Sequence, residues 1–407
     1  MGMRGRGRDR MTTANRAGRG ARTLVLLAAA LSTAACDLGP VRHLPAVPAS
    51  VTLTAEPPGY GRIRAYGNVI GPSDAQTDSL GTAALARLRG TDAVDILALS
   101  GGGDGGAFGA GLLIGWTQRG DRPEFDMVTG VSTGALIAPL AFLGPRYDNE
   151  LKRSYTQTRR SDVVLLKPLQ VLTGAPSVGD SSPLRERIAA IVTPTMVDEI
   201  AAERRKGRML LIGTTNLDAQ RQVIWDIGRI AASGQPDRVD LIRAILLASA
   251  SIPAAFPPVA IDVVAEGHRF QEMHVDGGVT RGVFAYPPEV TLPPRRGPRR
   301  MWVVRNSKLS PEPETVAQNA LAIAGRSLST MIKAQSLVDI TEMERLARRD
   351  GFDFHVTAVP PALRLPQGLP FDPVYMNTVY RAGLATGQSR HGWASDPAPL
   401  LGPAASN

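Results

Sequence analysis

From residue 94 onward, short apolar runs alternate with longer stretches of helical periodicity. VDILALS (94–100) is almost continuously apolar, as a strand buried on both faces would be. AFGAGLLIGWTQRG follows it and predicts a helix stopped by Gly120. FDMVTG (125–130) reads as a second strand and STGALIAPLAFLG as a second helix. SSPLRERIAAIV predicts a helix with Ser182 as N-cap and Pro183 in its first turn. RMLLIGTTNL and RQVIWDI (208–227) predict two strands, and VDLIRAILLASAS a helix. HVDGG, MWVVRN and FDFHVTAV are later strand-like runs. Residues 316–349 form a long amphipathic helix or a pair, and 373–387 a closing helix. No internal repeat interrupts this series. Strands separated by helix-length gaps predict a mostly parallel sheet wrapped by helices.

Composition changes this picture mainly at the front. The chain has 407 residues and a formal charge of +9, but residues 1–35 hold seven arginines against one acid, Asp9. The remainder carries only +3, which is no footprint for nucleic acid. The basic start leads into TLVLLAAALSTAAC (23–36), too short to span a membrane but suited to a secretory signal. It ends at Cys36, the sole cysteine, which has no internal partner for a disulfide. LSTAAC resembles a bacterial lipoprotein lipobox, with Thr33 where the pattern prefers a Leu-like residue. The expected organisation is a signal peptide over 1–35, a Cys36 lipid anchor and a lead-in over 36–91 with a short helix near 80–89. A single domain over 92–390 and a polar tail over 391–407 follow. That organisation predicts an exported protein of the bacterial cell envelope, anchored to the membrane surface through lipid. An ordinary signal peptide cut near Ala35 is the alternative.

Candidate chemistry begins in LSGGGDGGAFGAG (99–111), where Gly101, Gly103 and Gly106 have the G-x-G-x-x-G spacing of a dinucleotide-binding turn. An acid, Asp126, lies about 20 residues on, as that fingerprint requires. It opens the second strand instead of closing it, so it belongs at the opposite sheet edge from the glycine turn. The cofactor reading is therefore weak, and no cofactor or metal is expected.

What closes the second strand is Gly130-Val131-Ser132-Thr133-Gly134, a G-x-S-x-G between strand and helix. Such a turn needs its flanking glycines and exposes the serine hydroxyl. The N–H groups of Gly101, Gly102 and Gly103 can then serve as an oxyanion hole, worth roughly 3–4 kcal/mol per good donor. A serine nucleophile needs a base. Of the five histidines, His43, His268, His274, His355 and His391, none carries a turn signature placing it at the strand edge. Asp276 does, ending a strand-like run just before Gly277 and Gly278.

GGG, then G-x-S-x-G, then D-G-G in that order resemble the patatin-like phospholipases and acyl hydrolases. ASASIPAAFPPV (248–259) is similar to that family's proline-rich block, and LLIGTTNLDAQRQVIWDIG (210–228) to its core. The resemblance implies a three-layer α/β/α sandwich without a separate second domain, and a Ser132–Asp276 dyad. It also implies a lipid or acyl-ester substrate. Gly105 departs from it, standing where the family often has Arg or Lys, with Asp104 before it. Phe108, Phe142 and Leu172 are candidates for an acyl groove, with core packing as the simpler role. The competing classes are a Ser-His-Asp esterase of the α/β-hydrolase type, using His355 or His391, and a non-catalytic envelope lipoprotein.

Overall fold

The computed structural model describes residues 1–2, 42–67, 92–166, 177, 179–290, 292–294, 297–366 and 369–402. The signal peptide, Cys36, the helix near 80–89 and Leu172 lie outside them.

The strands are β1 (Arg64–Tyr66), β2 (Val94–Leu99), β3 (Met127–Val131), β4 (Leu165–Leu166), β5 (Gly179–Asp180) and β6 (Met209–Asn216). They continue with β7 (Arg221–Asp226), β8 (Val259–Ala265), β9 (His268–Asp276), β10 (Arg299–Arg305) and β11 (Asp353–Ala358). The helices are α1 (Gly106–Arg119), α2 (Thr133–Leu143), α3 (Asp148–Thr156), α4 (Ser182–Ile191) and α5 (Pro194–Arg205). After them come α6 (Ile227–Ala232), α7 (Arg238–Ser249), α8 (Ala320–Asp350) and α9 (Pro373–Gln388).

One nine-stranded sheet runs β1-β7-β6-β3-β2-β10-β11, with the β8–β9 hairpin attached to β6. The five central strands β6, β3, β2, β10 and β11 are parallel, whereas β1, β7 and the hairpin pair antiparallel. The sheet is mostly parallel at its centre, as its continuous apolar runs require. Along β2, Leu97 and Leu99 face one core while Ile96 and Ala98 face the other. The first core is shared with α1, α2, α4, α5, α7 and α9, and the second with α8 and residues 283–292. Those are the three layers.

Several boundaries differ from the pattern. α4 starts at Ser182 itself, with Ser181 at the N-cap position and no side-chain cap bond. Instead Asp180 accepts from the Ser182 N–H at 2.8 Å. Of the stretch 316–349, residues 320–349 lie in one helix, α8, which is capped by Asn319 and closed by Gly351 in the left-handed conformation. The lead-in contributes β1 to the sheet edge, and Ala394 of the tail bridges to Val356. α3, α5 and β8 have no counterpart in the sequence pattern read above.

Candidate active site

β2 and β3 are direct neighbours, so their two βα turns open side by side at one sheet edge. Asp126 lies at the other edge, where its carboxylate accepts the Asp95 N–H at 2.8 Å. At the end of β3, Ser132 adopts φ 56° and ψ −127°, a conformation that costs on the order of 1–3 kcal/mol. Neither flank admits a side chain. A Cβ on Gly130 would stand 2.5 Å from the Gly134 carbonyl oxygen, and one on Gly134 would stand 2.3 Å from that of Leu99. The Ser132 N–H donates to Ser249 Oγ at 3.0 Å, and that hydroxyl donates to the Gly213 carbonyl at 2.7 Å. Crowded glycines and a serine relay hold the elbow.

Asp276 arrives from the opposite direction. β9 runs antiparallel to β6 beyond the end of the parallel strands and brings Asp276 opposite Thr214. Gly213, one residue earlier, pairs with Val131, so the strand end and the elbow coincide. The Asp276 carboxylate is buried and accepts the Gly278 N–H at 2.7 Å. It also accepts a hydrogen bond from the Ser132 hydroxyl. Burial pushes the Asp276 carboxyl up to about 6, against the downward pull of those two hydrogen bonds. Gly277 is required here because a Cβ would stand 2.4 Å from the Gly213 carbonyl oxygen.

The glycine loop offers fewer donors than its sequence suggests. The Gly101 N–H is already committed to the Gly282 carbonyl at 3.0 Å, which removes it from the expected oxyanion set. The N–H groups of Gly102 and Gly103 have no partner among the described residues. Gly102 (φ 155°) and Gly103 (φ 57°) turn the chain into the 3₁₀ turn before α1. Gly106 lets α1 approach α2, since a Cβ there would meet Thr133 Oγ1 at 2.0 Å. The Thr133 N–H, first in α2, is a further free donor beside Ser132.

Gly105 has a steric explanation. A Cβ at that position would stand 2.1 Å from the Asn306 carbonyl oxygen, so no Arg or Lys fits. Asn306 was not singled out from the sequence, yet it clamps this corner. Its N–H donates to Ser100 Oγ (2.8 Å), its amide donates to the Ser100 carbonyl (2.7 Å) and its Oδ1 accepts the Gly109 N–H (3.1 Å). Arg305, the last residue of β10, donates to the Gly101 carbonyl at 3.3 Å. Burial lowers its guanidinium to about 10 despite the charges of Asp339 and Glu312. The run MWVVRN marks the strand that ends at Arg305 and the residue that follows it, but nothing in it marks their direction.

Two cavities meet at Ser132. One, of about 90 Å³, is apolar and includes Leu136, Ile188, Val192, Leu246, Phe256 and Met376. The other, of about 610 Å³, is bounded by Gly101, Gly102, Asp276, Arg160 and Arg305 and by one side of α8. Phe108 and Phe142 line neither and are fully buried in the core. No histidine lines either cavity. His274 is buried within β9, in contact with Thr214 Oγ1 (2.9 Å) and Glu272 (3.0 Å). His355 stacks on Trp302, with ring centroids 4.0 Å apart.

A serine on a strained strand–helix turn, facing an acid in a mostly parallel α/β sheet, defines a hydrolase-like site. Residues 97–287 match the model of the family described as patatin-like phospholipase. That match supports lipid acyl hydrolase chemistry in general. Among curated proteins none matches the chain. Among solved structures it is similar to VipD from Legionella pneumophila, with 12% identity, a TM-score of 0.32, and coverage of 72% of this chain and 66% of that one. A likeness so distant carries no argument.

Proposed function

We propose that the protein is a serine acyl hydrolase that cleaves carboxylic esters of lipids with Ser132 as nucleophile and Asp276 as base. The observation that carries this reading is the hydrogen bond from the strained Ser132 hydroxyl to the buried Asp276 carboxylate. The Ser132 oxygen attacks the ester carbonyl while its proton passes to Asp276. Negative charge develops on the carbonyl oxygen within reach of the Gly102, Gly103 and Thr133 N–H groups. Collapse breaks the ester C–O bond, and the leaving alkoxide takes the proton from Asp276. Water then gives a proton to Asp276 and attacks the acyl-enzyme, and Ser132 leaves with that proton. The narrow apolar cavity suits the acyl chain, and the wide one the alcohol portion.

Labelling with a fluorophosphonate probe followed by peptide mapping tests this reading. Modification of Ser132 alone, abolished in Ser132→Ala, is expected. Modification elsewhere with Ser132 untouched overturns it.

The lipobox-like LSTAAC supports a lipid-anchored envelope protein with Cys36 as its mature N-terminus. Mass spectrometry of protein made in a bacterial host decides this. A mature form beginning elsewhere removes the anchor.

A further inference from the structure

The two cavities that meet at Ser132 differ in size as much as in character. The narrow one, about 90 Å³, is walled by apolar side chains of α2, α4, α7 and α9, among them Leu136, Ile188, Leu246 and Met376. The wide one, about 610 Å³, is lined by the charged residues Arg160, Asp276, Arg305, Glu312 and Lys333 as well as by apolar ones. Ile252, Phe256 and Phe371 line both, so they form the partition between them. The Phe371 N–H donates to the Asp104 carboxylate at 2.9 Å, which fastens that partition to the glycine loop.

Volume limits what the apolar side can hold. An apolar cavity of about 150 Å³ takes one benzene ring, or about 25 Å³ for each carbon. The narrow cavity, about 90 Å³, therefore holds about four carbons beyond the carbonyl. A palmitoyl tail would need about 400 Å³ on the same scale. The walls do not yield freely, because Ile188 and Met376 are buried members of the larger hydrophobic core. Beside the same cavity, Arg187 on α4 donates to the Thr158 hydroxyl at 2.6 Å and to the Ser154 carbonyl at 3.3 Å. These bonds tie α4 to the end of α3. An alkyl chain forced past the apolar walls would break them or lie against a guanidinium, and either costs free energy. On the wide side a long alkyl chain would lie against the charged residues.

We propose that the enzyme is selective for short acyl groups, up to about six carbons, carried on a bulky alcohol portion, and that Ile188 and Met376 set this length. The proposal rests on the acyl hydrolase reading above, with the acyl group in the narrow cavity and the alcohol portion in the wide one.

The test measures kcat/KM of the full-length chain for p-nitrophenyl esters from acetate to palmitate, all in one detergent. The maximum is expected at butyrate to hexanoate, with a fall of about tenfold or more by decanoate. Ile188→Ala takes three carbons from the wall, about 75 Å³, and should move the maximum up by about three carbons. Met376→Ala, on a different helix, should do the same, and Ile188→Phe should move the maximum down towards acetate. Butyrate esters of progressively larger alcohols should lose no efficiency. Thermal unfolding shows which variants fold, and the parent series decides by itself if Ile188→Ala does not. A parent maximum at decanoate or longer overturns the length limit and leaves the Ser132 reading intact. So does a profile that folded Ile188→Ala and Met376→Ala both leave unmoved, or one limited by the alcohol instead of the acyl group. No turnover at any length, with Ser132 unlabelled by the fluorophosphonate, overturns the hydrolase reading and the length limit with it.

Discussion

The two turns that meet at the candidate active site are built on opposite principles. The Ser132 elbow is local: a parallel strand, a helix and two glycines within five residues enforce a backbone that nothing else would adopt. Asp276 is delivered from afar, on the second strand of a hairpin that hangs from the end of β6. Strain at the elbow is met by nearby backbone, whereas the hairpin needs buried polar support. Arg64 on β1 engages Glu272 on β9 at 2.5 and 3.1 Å. Burial alone would raise the Glu272 carboxyl, but hydrogen bonds from His274 and Arg64 hold it at about 2. A carboxylate only accepts, so His274 Nε2 bears the proton and its Nδ1 accepts from Thr214. One turn can therefore be broken by a single methyl group, the other by a charge four residues away.

The largest effect should come from the elbow. Ser132→Ala removes the nucleophile from a site where a small side chain carries little packing. Ester turnover should fall about 10³-fold or more with the thermal midpoint near the parent value. A folded Ser132→Ala protein that still turns over would break the comparison outright.

Asp276→Asn should lower turnover by about 10²-fold or more, since the amide cannot take a proton. The base must be ionised, so the rate of the parent enzyme should rise with pH through about 6. An ordinary carboxylate would set that limb well below the histidine value of about 6.5. Burial moves it close to that value, so the position of the limb no longer discriminates. His355→Ala and His391→Ala should leave both limb and rate in place. Loss of the limb in either would restore the Ser-His-Asp alternative.

The glycine loop sharpens the contrast more gently. Arg305→Gln releases one anchor of the Gly101 carbonyl, whose peptide plane also carries the Gly102 N–H. The maximal rate should fall about tenfold with the Michaelis constant little changed. Partial recovery in Arg305→Lys would distinguish charge beside the loop from simple packing.

The same contrast decides what the sequence disclosed. The central strands, α1, α2 and the elbow follow from continuous apolar runs and glycine spacing, both local signals. The β8–β9 hairpin escaped because its turn is Glu266-Gly267, both at positive φ, instead of the more familiar Asn-Gly. Asp276 was found through its following glycines, but its antiparallel approach was not legible. The commitment of the Gly101 N–H to Gly282 and the clamp by Asn306 join segments more than 170 residues apart. No spacing rule reports such contacts. α3, with two acids in its first turn and few apolar residues, offered too little periodicity to be seen.

The smallest effect concerns stability, and its sign separates the two turns. In the folded protein Asp276 has its carboxyl raised to about 6, above the value near 3.9 of an unfolded chain. Between those values the folded state binds more protons than the unfolded state, so stability falls as pH rises through that window. Above pH 6 the buried carboxylate carries its full desolvation cost, on the order of 1–3 kcal/mol. Asn keeps the acceptor for the Gly278 N–H and removes the charge. Asp276→Asn should therefore raise the thermal midpoint by a few degrees at pH 8, while abolishing most turnover. At pH 4, where Asp276 is protonated in the fold, the gain should shrink towards zero. Ser132→Ala should show no such pH-dependent gain in stability, because the buried carboxylate remains. Scanning calorimetry of the three proteins at the two pH values measures this. Asp276→Asn less stable than the parent at pH 8 would show that the hairpin end is held by the carboxylate's own bonds and not in spite of its burial.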